Sequence, residues 1–88
     1  MALHFPNSSR SYDPSGYRVR FWGHDGAMEV SFFLEGDAIL QFDPKARRDE
    51  ASILRSFDSN IARILEVAAK VYGKRRQGGA YTLARADF

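Results

Sequence analysis

Positive charge gathers most densely near the C-terminal third of the chain. Lys70, Lys74, Arg75 and Arg76 put four cations within seven residues, with no acid among them. Such a run suits phosphate groups, nucleic acid or an acidic partner. A second group, Arg18, Arg20 and Trp22, sets guanidinium groups at alternate positions with an indole. Arginine forms bidentate pairs and stacks on rings, so this trio suits recognition and ion pairing alike. These seven residues, with Tyr72 as a further stacking surface, are the candidate contacts for an anion, a nucleic acid or a protein.

Other chemistry finds less support. His24 stands beside Asp25 in a turn-rich tetrapeptide, Gly23-His24-Asp25-Gly26, and the only other histidine is His4. A metal site needs three or four converging ligands, and these two are not at a ligand spacing. Ser8, Ser9, Ser11 and Ser15 lie in a turn-rich arm, where serine is expected anyway. No G-x-S-x-G or S-x-x-K pattern accompanies them. The loop Gly73 to Gly79 is rich in Gly and positive charge. It lacks the P-loop pattern and follows a helix C-terminus, whose dipole favours cations. No nucleophile, base and oxyanion donor can be named together, so no enzyme and no cofactor is expected.

The elements that position these residues follow from hydrophobic periodicity. Asp13-Pro14-Ser15-Gly16 predicts a turn between a short strand over residues 9–12 and the next strand. Tyr17 to Trp22 alternates, with Tyr17, Val19 and Phe21 on one face and Arg18, Arg20 and Trp22 on the other. Met28 to Glu35 alternates likewise, with Met28, Val30, Phe32 and Leu34 opposed to Glu29, Ser31, Phe33 and Glu35. Asp25-Gly26 between them predicts a hairpin. A two-residue turn there pairs Phe21 with Val30. A four-residue loop from Gly23 to Gly26 pairs Phe21 with Met28. Either register keeps the same residues on the same face.

Gly36-Asp37 starts a short helix over Ala38 to Phe42, ended by Pro44. Lys45 to Arg48 is a charged connector. One long helix follows, with Asp49 at its N-terminus and Gly73 as its stop. Ile53, Phe57, Ile61, Ile64, Ala68 and Val71 make its stripe, and Leu54 and Leu65 widen it. Glu66 and Lys70 form an i,i+4 pair in the favourable order. A final strand runs from Tyr81 to Arg85. The fold class is therefore α+β: an antiparallel sheet of about four strands in β-β-β-α-α-β order, with the long helix across the Val19, Phe21, Val30, Phe32 face. Residues 1–10 form an arm that docks through Phe5, and the arm is expected to cover Trp22 through Phe5 or Tyr12.

The chain has 88 residues, 44% hydrophobic and 14% aromatic, which suits one domain with a thin core. There are no cysteines, so disulfides and thiolate metal sites are excluded. No segment reads as a signal peptide or membrane span, and the expectation by elimination is a cytoplasmic protein. Net charge is +2, with pI ≈ 9.2. That balance permits nucleic acid as partner without requiring it.

Taken together, Phe5-Pro6-Asn7, then Ser9-Arg10-Ser11-Tyr12-Asp13, then Val19-Arg20-Phe21, a long helix, and closing Tyr81-Thr82-Leu83 with Asp87-Phe88 resemble the short bacterial proteins catalogued as domain of unknown function 1488. The resemblance spans nearly the whole chain. It implies a compact α+β fold and a soluble bacterial protein, and it carries no activity, cofactor or catalytic residue. The leading expectation is a non-catalytic accessory module that binds a protein, as monomer or homodimer. The alternative is a weak, sequence-tolerant nucleic-acid binder using Lys70, Lys74, Arg75 and Arg76, and a small enzyme comes third, to be revived only by a pocket with converging His or acidic groups.

Overall fold

The structure is a computed structural model that describes residues 3–6, 10–74 and 80–88. Two β-branched and aromatic runs form its centre: β3 (Arg18–Asp25) and β4 (Met28–Glu35). They pair antiparallel with Phe21 opposite Phe32 and Asp25 opposite Met28. Neither expected register holds. The turn is Gly26-Ala27, with Gly26 at φ 62, the first central position that a type II′ turn reserves for glycine. The shift is an even number of residues, so every side chain keeps its expected face.

β1 (Leu3–His4) and β2 (Arg10–Asp13) lie end to end along the free edge of β3. Between them Phe5 packs on Phe21 and Phe32, with ring centroids 6.1 and 5.9 Å away. The arm therefore docks through Phe5 as expected. Its ring lies over Gly23, where a Cβ would meet it at 2.8 Å.

After β4 the chain forms α1 (Gly36–Phe42), α2 (Glu50–Ser59) and α3 (Ile61–Lys74), then β5 (Tyr81–Leu83) and a 3-10 turn over Arg85–Asp87. The single long helix of the sequence reading is thus two helices. Asn60 leaves helical geometry at φ −117, ψ 21, and its side-chain amide donates to the Ser56 carbonyl. That local bond offers the backbone an alternative to continuing the helix. Gly73 lies inside α3, one residue before its described end. The fold class is α+β, with one difference in the sheet. It has five strands and is mixed, because β5 pairs parallel to β4. The helices between β4 and β5 supply the crossover that parallel pairing requires.

The helices cover one face of the sheet. Val19, Phe32, Leu34, Ile39, Ile53, Ile64 and Leu83 are completely buried there, with Phe57 and Phe21 nearly so. Of the predicted stripe, Ile53, Phe57, Ile64, Ala68 and Val71 are buried, while Ile61 is half-buried beside the break. Asp49 caps α2 by accepting from the Ser52 amide at 3.1 Å. Among the described residues, no helix is long and apolar enough to cross a membrane.

One hydrogen bond joins the helical layer to the hairpin tip. Tyr72 in α3 donates to the Asp25 carboxylate at 2.6 Å, and its ring packs edge-on against Tyr81. Tyr72 is therefore a tie within the fold and does not serve as a free stacking surface. Tyr72→Phe is expected to lower unfolding free energy by about 1.5–3 kcal/mol, the range for a bond to a charged group. Urea unfolding followed by circular dichroism measures it, and an unchanged midpoint would show the bond to be unimportant.

Two carboxylates link stability to pH. The Ser15 hydroxyl and then Arg18 hold Asp13 below the usual carboxylate range. The Ser52 backbone N–H does the same for Asp49. Lowered folded values mean that the unfolded chain takes up protons first as pH falls. The stabilisation is present above about pH 4 and is lost as acid protonates the folded carboxylates. Urea midpoints should hold between about pH 5 and 7 on this account and drop as the pH falls below about 4. Asp49→Asn should make that drop shallower.

Candidate functional site

Alternation along β3 and β4 sends every second side chain away from the helices. Arg18, Arg20, Trp22 and His24 project there from β3; Glu29, Ser31, Phe33 and Glu35 project from β4. Cross-strand partners add His4 from β1, Ser11 and Asp13 from β2, and Thr82 from β5. Among the described residues no element packs over this face.

Its centre alternates guanidinium and ring. The Arg18 guanidinium lies 3.8 Å over the Phe33 ring, and its Nε donates to Asp13 at 3.0 Å. Arg20 lies 5.0 Å over the Trp22 ring and donates to the Ser31 hydroxyl at 3.3 Å. Cation–ring contacts of this kind orient both partners. Arg18 is therefore neutralised, whereas Arg20 has no acidic partner among the described residues. Three carboxylates, Asp13, Glu29 and Glu35, share the face with the two arginines, so it is not a basic surface.

Trp22 is half-buried. The expected cover by Phe5 or Tyr12 does not form. Phe5 packs on Phe21 and Phe32, and Tyr12 pairs with Val19, so both sit on the helix side of the sheet. Arg20 lies over the indole instead. Trp22→Ala is expected to cost only about 1 kcal/mol, since partial burial forfeits little of a full core side chain. A chemical-denaturation loss above about 3 kcal/mol would mean that another element packs on the indole.

The basic group lies elsewhere. Lys70 sits 3.7 Å from Glu66, the predicted i,i+4 pair, and Lys74 occupies the last turn of α3. Arg75 and Arg76 lie outside the described residues. The helical layer separates Lys70 and Lys74 from Arg18, Arg20 and Trp22, so the two predicted groups form no single site.

Two arrangements escaped the sequence reading. His4 and His24 face each other across β1 and β3, with ring centroids 6.1 Å apart. Among the described residues no three His, Asp or Glu side chains are placed to hold a metal ion. The second is a hollow of about 240 Å³ between the α1–α2 connector and α2. Lys45 and Arg47 of the connector face Arg55 and three serines there.

A protein-family model described as "Protein of unknown function (DUF1488)" matches residues 3–83. The chain belongs to the DUF1488 family. A crystal structure of a protein of unknown function from the DUF1488 family of Shewanella loihica PV-4 superimposes with a TM-score of 0.81. It shares 13% sequence identity, and the match covers 92% of this chain and 90% of that one. At that identity the likeness concerns the fold. No curated protein matches the chain. DUF1488 membership thus accounts for the architecture and assigns no chemistry to the face or the hollow.

Proposed function

We propose that this DUF1488 protein is a non-catalytic accessory module that binds a protein partner through the open face of its sheet. The supporting observation is the band Phe33, Arg18, Trp22 and Arg20, preorganised by stacking and left uncovered by the helices. Trp and Arg are enriched among the residues that dominate protein interfaces. Arg20, which no acid among the described residues engages, fits a carboxylate on the incoming surface. The near balance of charge on this face suits a protein better than a polyanion.

Site-specific photo-crosslinking tests the reading. A benzophenone side chain at Ser31 is expected to give one discrete adduct in native lysate, identifiable by mass spectrometry. The same probe at Ala69, on the exposed side of α3, should not give it. Arg20→Glu should abolish it. Identical adducts from both positions, or persistence in Arg20→Glu, would overturn the reading.

Nucleic-acid binding through Lys70, Lys74, Arg75 and Arg76 is the competing reading. It draws support only from the charge run, because Lys70 is already engaged by Glu66. Oligonucleotide anisotropy that falls steeply with salt, and vanishes on charge reversal at Lys74, Arg75 and Arg76, would favour it.

A further inference from the structure

The hollow behind the sheet has the chemistry of a ligand site, independent of the open face. Ser52, Arg55, Ser56 and Ser59 recur at i, i+3, i+4 and i+7, so they share one stripe of α2. The connector turns toward that stripe through a hydrogen bond from the Ala46 amide to the Asp43 carbonyl, 3.0 Å long. This turn brings Lys45 and Arg47 opposite Arg55 around a volume of about 240 Å³. Drug-sized ligands occupy roughly 300–1,000 Å³, so the space suits a smaller, compact molecule.

The three cations are not ion-paired among the described residues, although the charge of Arg47 also helps to hold the Asp49 carboxyl low. Arg10, Arg18, Arg48 and Lys70 are each ion-paired. Among the described residues Lys45, Arg47 and Arg55 make no ion pair, although all three line the same hollow. The floor differs from the rim. Ser56 is buried, with 5% exposure, and its hydroxyl donates to the half-buried Asp43 carboxylate. Asp43 keeps acceptor capacity beyond that bond. The Ser52 hydroxyl helps hold Asp49 ionised, which leaves Ser59 as the free hydroxyl at the rim.

A cationic rim above an acceptor floor recognises two groups at once. The rim takes a phosphate dianion, and Asp43 takes a hydroxyl carried by the same molecule. We propose that this hollow binds small, hydroxylated phosphate monoesters. An anion without a hydroxyl, such as sulfate, satisfies only the rim and meets repulsion from Asp43, so the hydroxyl is what distinguishes the ligand class.

Titration of the ¹⁵N-labelled full chain by NMR tests this, with glycerol 3-phosphate, sulfate and glycerol as probes at constant ionic strength. Glycerol 3-phosphate is expected to shift amides within residues 43–59 and to bind several-fold more tightly than sulfate. Arg47→Ala with Arg55→Ala should weaken it by about tenfold or more, as loss of charged hydrogen bonds implies. Lys45→Ala should weaken it less, and Lys70→Ala should leave it unchanged. Both arginines are exposed and unpaired, so the double variant keeps its fold, which circular dichroism verifies. Equal binding of sulfate, an unchanged affinity in the double variant, or shifts outside residues 43–59 would overturn the proposal. So would an oligothymidylate that binds the same amides more tightly than glycerol 3-phosphate.

Discussion

Phe32→Ala is expected to bring the domain to the edge of unfolding. Phe32 is completely buried and sits at the junction of strands and arm. Its ring stacks on Phe21 at 5.2 Å and packs against Tyr81 at 5.6 Å and Phe5 at 5.9 Å. Truncation therefore opens a cavity where β3, β4, β5 and the arm meet. Phe→Ala in a core costs about 3–5 kcal/mol. A domain of this length has roughly 4–13 kcal/mol of stability in total. A melting temperature lower by about 15–30 °C is the expected result. Phe32→Leu should recover a large part of it. A fall of only a few degrees would show that the four rings do not act as one core.

The second large effect is expected at Gly36, which opens α1. A Cβ there would fall 2.4 Å from two atoms of the Tyr17 ring. Tyr17 cannot easily withdraw. Its backbone takes φ 47, its carbonyl accepts from the Gly36 amide at 2.9 Å, and Arg48 lies 4.9 Å over its ring. Gly36→Ala should therefore destabilise by about 2–3 kcal/mol, despite the better helix propensity of alanine. If the clash is the cause, Tyr17→Ala combined with Gly36→Ala will cost less than the two separate losses added together. Strict additivity in that cycle would point to a backbone origin.

The core face was legible because a strand period of two survives any even shift of register. Val19, Phe21, Val30, Phe32 and Leu34 stayed together although the turn moved from Asp25-Gly26 to Gly26-Ala27. The break at Asn60 was hidden for a related reason. The stripe Phe57, Ile61, Ile64 runs through it without a gap, so only the side-chain bond to Ser56 betrays it. The parallel direction of β5 is set by the helices that precede it and leaves no trace in Tyr81-Thr82-Leu83. The Arg18, Arg20, Trp22 face followed from alternation alone. The hollow did not, because Lys45 and Arg47 are far from Arg55 in pattern and meet it only through the turn at Asp43 to Ala46.

The parallel strand also sets an order of events during synthesis. β3 and β4 can zip together as soon as the hairpin leaves the ribosome. β5 follows only after residues 36–80 have been made. Until then the outer edge of β4 has no strand beside it, and Phe32 lacks Tyr81. A nascent edge of eight residues is a template for pairing with other chains. Glu29 and Glu35 flank its apolar centre, where charge disfavours such pairing. Their contribution would then register in the yield of newly made protein more than in the stability of the finished fold.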